Sequence, residues 1–140
     1  MVNIVIDTNV IVAAFLSRSG RSHQILQQIR RNQTTWHYHL SAPLVFEYEE
    51  VLMRELPLDK FPRKRIREFL DDFISEGIRH RSIPRRRPIS RDPDDDAVIE
   101  LALFSKVDCI VTFNTRDFKP VEPLGVRVLT PMEFAAEYIT

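Results

Sequence analysis

The stretch from Val2 to Ile6 does most to limit what this chain can fold into. It is short, apolar and β-branched, and it stops at Asp7-Thr8-Asn9. Such a run suits the central strand of a parallel sheet that is covered on both faces. In open α/β sheets, ligands collect beyond the carboxyl ends of the strands. Asp7 is therefore placed where a ligand would be, with the Thr8 hydroxyl and the Asn9 amide beside it. All three residue types also favour turns and helix caps, and the local sequence leaves both readings standing.

Downstream, helical and strand patterns alternate. Val10 to Leu16 and Ser22 to Arg31 read as helices, and His23 falls on the polar side of the second. Trp36 to Leu40 alternates as a strand, with His37 and His39 on one face and no third soft ligand to make a zinc site. Pro43 opens a helix whose inward stripe is Leu44, Tyr48, Val51 and Leu52, with Glu47 at the stripe's edge. Pro62 to Gly77 is amphipathic, with Ile66, Phe69, Leu70, Phe73 and Ile74 inward and Arg63, Lys64, Arg65 and Arg67 outward. A basic connector follows, carrying Arg79, His80 and Arg81 and then Arg85, Arg86 and Arg87. A solvated loop and a phosphate-contacting rim both fit it. Asp108 to Thr112 and Val126 to Leu129 read as strands. Thr130-Pro131-Met132-Glu133 then forms a capping box that opens a helix to Tyr138.

This alternation implies the α/β class, as a three-layer α/β/α sandwich with a central parallel sheet. With 140 residues and no break in composition, a single domain over 1–140 is expected. Three glycines and no glycine-rich loop argue against nucleotide binding of the P-loop or Rossmann kind. The lone Cys109 rules out an internal disulfide and is expected to be buried in a reducing cytoplasm. No apolar run has the length of a membrane span, and the first residues lack the basic start of a signal peptide. Net charge is +0, so any attraction to nucleic acid must be local.

The most charged stretch is Arg91-Asp92-Pro93-Asp94-Asp95-Asp96, directly before Ala97-Val98-Ile99. Four carboxylates so close repel one another unless a cation or a helix dipole compensates. Asp92 and Pro93 suit the N-cap and first position of a helix, Asp95 stands three residues on, and the dipole favours Asp94. Capping explains Asp96 less well, because it lies inside a helix with little polar face. Asp7, Glu47, Asp96 and Asp117 come from four segments expected at one edge of the sheet, so together they are a candidate cluster of hard oxygen ligands. Mg²⁺ or Mn²⁺ prefers such ligands, and such a site can activate water against a phosphodiester.

Four motifs together carry a resemblance: Asp7-Thr8-Asn9-Val10, Glu47 within Leu44 to Leu52, Asp92-Pro93-Asp94-Asp95-Asp96, and Val111-Thr112-Phe113-Asn114-Thr115-Arg116-Asp117-Phe118. Each is weak alone, but in this order and spacing the chain resembles a PIN domain of the VapC-like toxin branch over nearly its whole length. The resemblance implies a small parallel α/β/α sandwich and divalent-metal-dependent endoribonuclease activity. It also implies Mg²⁺ or Mn²⁺ as cofactor, RNA as substrate, a neutralising antitoxin partner and a homodimer. Asp7, Glu47, Asp96 and Asp117 match the four metal-binding acids. Thr8, Asn9, Thr112 and Asn114 match the supporting polar residues, and Asn114 departs from the aspartate that some members carry. Arg81, Arg85, Arg86 and Arg87 would approach the RNA backbone.

Two other readings compete. A catalytically weak PIN scaffold that binds RNA or protein has the Asn114 amide in its favour. A receiver or aspartyl-type phosphatase lacks the acids it needs, because the middle strand ends at Leu40-Ser41-Ala42 and Asn9 stands two residues after Asp7.

Overall fold

The computed structural model describes residues 1–81, 83 and 93–139, of which 93 and 94 are described by their backbone alone. Asp92, Arg85, Arg86 and Arg87 lie outside the described residues.

Strand β1 (Val2–Ile6) leads into α1 (Thr8–Leu16) and α2 (Arg21–Arg31). Strand β2 (Trp36–Ser41) is followed by α3 (Ala42–Glu55) and α4 (Arg63–Glu76). Strand β3 (Ile78–His80) precedes α5 (Pro93–Ser105) and β4 (Cys109–Val111). A short α6 (Thr115–Phe118), a 3-10 helix (Lys119–Leu124), β5 (Arg127–Leu129) and α7 (Pro131–Tyr138) complete the order. Thr130 and Glu133 make the expected capping box at the start of α7.

The five strands are all parallel, in the order β3-β2-β1-β4-β5. Ile4, Val5 and Ile6 of β1 are buried, as a central strand between two helical layers requires. The three-layer α/β/α sandwich inferred from the sequence is thus the observed fold. Strand β3 was not expected, since its three residues fall within the basic connector. It pairs along the edge of β2, through His39 with Ile78 and Ser41 with His80.

The period-two pattern of β2 divides its side chains as expected. Trp36 packs on Phe134 and Tyr138 of α7, while Tyr38 stacks on Phe73 of α4 and donates to the Phe73 carbonyl at 2.6 Å. On the other face, His39 binds Asn3 Oδ1 through Nε2 at 2.9 Å and His80 Nε2 through Nδ1 at 2.8 Å. His39 is therefore a buried polar tie between three strands. His23, expected on a polar face, is half-buried, with Nδ1 3.1 Å from the Ala14 carbonyl. Cys109 is buried, and desolvation pushes its thiol up to about 12.

Strand order reverses at β1. The chain winds outward to β2 and β3, then crosses over through α5 to β4 on the other side. Successive right-handed crossovers in opposite directions leave a crevice at the carboxyl ends of β1 and β4. Asp7 follows one of those ends and Thr112 the other.

Candidate functional site

Asp7 is the N-cap of α1 and is buried, with its Oδ1 accepting from the Thr8 amide at 2.8 Å. Its Oδ2 accepts from the Thr112 hydroxyl at 2.7 Å. The backbone repeats the tie, because the Asp7 amide donates to the Val111 carbonyl at 2.9 Å. The capping role, one of the two readings the sequence left open, is thus met. One oxygen starts the helix and the other joins the end of β1 to the end of β4.

Glu47 reaches the same place from α3. Ser41 caps that helix, with a long 3.4 Å contact from the Leu44 amide. The next residue along, Tyr48, is buried and donates its hydroxyl to the Ile6 carbonyl, which fastens α3 to the end of β1. With the helix so placed, the Thr8 hydroxyl donates to Glu47 Oε2 at 2.8 Å. Thr8 therefore touches both acids, Asp7 through its amide and Glu47 through its side chain. The local field is negative. Burial first, and then the Asp7 and Glu47 carboxylates, hold the Tyr48 phenol well above its ordinary value.

The supporting residues hold the loop after β4. The Asn9 Oδ1 accepts from the Phe113 amide at 3.3 Å, and the Thr112 hydroxyl oxygen accepts from the Asn114 amide at 3.0 Å. These contacts belong to the Phe113 and Asn114 backbones, so Asn114 serves the loop whatever its side chain does.

A model of the PIN domain matches residues 3–116. The chain belongs to the PIN domain family. Solved structures that share its PIN fold include three VapBC complexes. One is VapBC2 from Rickettsia felis bound to a DNA fragment from its promoter, with TM-score 0.63 and 13% identity over 91% of this chain and 98% of the other. Another is DNA-bound VapBC from Salmonella typhimurium, with TM-score 0.64 and 16% identity over 94% and 99%. The third is VapBC-1 from nontypeable Haemophilus influenzae, with TM-score 0.61 and 13% identity over 93% and 98%. At such identities the likeness is one of fold. No curated relative matches the sequence.

Within this PIN domain, the acidic stretch at the head of α5 divides by depth. Asp95 is buried and Asp96 half-buried. Asp95 begins the stripe Asp95, Val98, Ile99, Ala102, all buried at i, i+3, i+4 and i+7, whereas Asp96 shares its side with half-buried Glu100 and Leu103. The first turns of α5 lie at the same sheet edge as the starts of α3 and the loop after β3. Ser41, Pro43, His80, Arg81, Ala97 and Glu100 line one cavity there of about 240 Å³. Arg81 is exposed on its rim. Asp117 is exposed on α6, anchored beside buried Phe118.

Asp7, Glu47, Asp95, Asp96 and Asp117 offer only hard carboxylate oxygens, the donor chemistry that Mg²⁺ or Mn²⁺ takes. A carboxylate has about four acceptor positions, and on Asp7 the Thr8 amide and the Thr112 hydroxyl occupy one each. Among the described residues, no three His, Cys, Asp or Glu side chains are grouped to hold one metal ion. The Asp7–Glu47 pair is the part already joined.

Proposed function

We propose that this PIN domain is a divalent-metal-dependent endoribonuclease and the toxin half of a toxin–antitoxin pair. The observation that carries the reading is the joining of Asp7 and Glu47 through Thr8, at the crevice where strand order reverses. Family membership and fold neighbours that are VapBC complexes support it. In this reading Asp7, Glu47 and the Asp95–Asp96 pair would hold Mg²⁺ or Mn²⁺, and Asp117 would complete or orient the site. The ion supplies charge for the phosphodiester and a more acidic water. The chain's own residues set the acids: Thr112 fixes the rotation of Asp7, Thr8 holds Glu47 to it, and Tyr48 fixes the helix that bears Glu47. Arg81, with Arg85, Arg86 and Arg87, would follow the RNA backbone. An antitoxin would cover the site, and a second copy of the chain would extend the RNA path.

Asp7→Asn is expected to abolish Mn²⁺-dependent cleavage of RNA while circular dichroism and thermal midpoint show a folded domain. Undiminished cleavage would refute the assignment. A non-catalytic scaffold is favoured by the exposed Asp117 and by the amide at Asn114. Calorimetry separates the two, since a scaffold would take up no Mn²⁺ at millimolar concentration.

A further inference from the structure

We infer that Phe113 is a base-stacking platform that holds single-stranded RNA against the acidic cluster. The inference rests on the ribonuclease reading above, in that it takes RNA as the substrate of this site. The ring is 49% exposed, while its predecessor Thr112 is fully buried and bonded to Asp7. Single exposed apolar side chains are ordinary on protein surfaces, and exposure alone singles out nothing. Phe113 differs in how it is held. Its amide is tied to Asn9 Oδ1, the next amide to the Thr112 hydroxyl, and the Thr112 amide to the Leu129 carbonyl at 2.9 Å. The backbone that presents the ring is thus fixed on both sides, and fixed to the same hydroxyl that orients Asp7.

The electrostatics explain why a ring is needed there. With no ion on Asp7 and Glu47, a phosphate chain approaching them is repelled, and a chain of net charge +0 offers no overall attraction to offset this. Stacking on an aromatic face adds an attraction that offsets part of that repulsion and accepts any base. A ring one residue from Thr112 can hold the nucleobase next to the phosphate under attack. Such a site takes unpaired strands and reads little sequence.

The test measures binding apart from cleavage. A short fluorescein-labelled single-stranded RNA is titrated with protein in EDTA and followed by anisotropy. Phe113→Ala and Phe113→Leu are each expected to weaken binding roughly tenfold. Phe113→Trp should bind as wild type, and its new indole emission should be quenched by the RNA, while buried Trp36 gives a steady background. Leu124→Ala, at an exposed apolar residue before β5, should change nothing. Wild-type affinity in Phe113→Ala overturns the inference, as does wild-type affinity in Phe113→Leu, which would show a plain apolar contact. An effect of Phe113→Ala confined to self-association in size-exclusion chromatography overturns it in favour of a protein interface. If wild type fails to cleave RNA with any divalent ion yet the Phe113→Trp quench is seen, the ribonuclease reading fails and the platform stands. If cleavage proceeds while Phe113 variants bind normally, only the platform fails.

Discussion

Thr112 makes two hydrogen bonds from one buried hydroxyl, donating to Asp7 and accepting from the Asn114 amide. Thr112→Val keeps the shape and removes both, one to a buried carboxylate and one from a backbone amide. Loss of stability of about 1–3 kcal/mol is expected by urea denaturation, with Thr112→Ser recovering most of it. The paired aspartates are separable at the same scale. Asp95→Asn is expected to reduce metal-dependent cleavage by far more than Asp96→Asn, because Asp95 sits on the inward stripe of α5. Equal losses in parallel assays would place both acids on the ion, and a larger loss for Asp96→Asn would reverse the order. The sequence made Asp7 and Glu47 visible because each stands at a boundary where polar residues need a reason. It blurred Asp95 and Asp96 because the residues after them, from Ala97 to Phe104, are apolar on nearly every side and hide the phase of the helix.

Among the elements, the legible ones are those whose pattern carries its own explanation. The apolar run of β1, the amphipathic stripe of α4 and the capping box of α7 all depend on neighbours in sequence. Strand β3 does not. Ile78, Arg79 and His80 have no alternation long enough to read, and they extend only because β2 offers an open edge. Gly77, just before β3, shows how tightly that edge is built. A Cβ there would stand 2.6 Å from both Leu40 Cδ1 and Tyr38 Cε2. Tyr38 cannot yield easily, being stacked on Phe73 and bonded to its carbonyl. Gly77→Ala is therefore expected to cost about 1–3 kcal/mol through overpacking, measured as a lower denaturation midpoint. In a Leu40→Ala background, itself destabilised by the lost core side chain, Gly77→Ala should cost less than in the wild type but not nothing, since the Tyr38 contact remains.

For the whole molecule, the buried tie at His39 sets a dependence on pH. Burial first, and then His80 and His37, lower the His39 value to about 4 from an ordinary 6.5. The unfolded chain therefore binds the proton more readily than the folded one between those values. Stability should be full above about pH 6.5 and fall on acidification toward pH 4, by up to about 3 kcal/mol. His39→Leu should flatten that part of the profile in urea titrations run at several pH values, even though the variant is less stable at neutral pH. The architecture as a whole was readable from the order of elements. The crossing of helices over the sheet was not written in any one segment. It follows from β1 lying at the centre, where the Asp7–Thr112 hydrogen bond spans 105 positions of sequence.

That span has a consequence for the chain as it leaves the ribosome. Strand β1 is translated before β2 to β5 yet ends up in the middle of the sheet, and one of its edges is bare until Cys109–Val111 emerges to pair with it. A nascent chain halted before that point carries Asp7, Glu47, Asp95 and Asp96 but has no Thr112 to turn the first of them. Asp7, Glu47, Asp95 and Asp96 are thus translated before β4 and β5, the strands that complete the sheet beside them, whereas Asp117 follows β4.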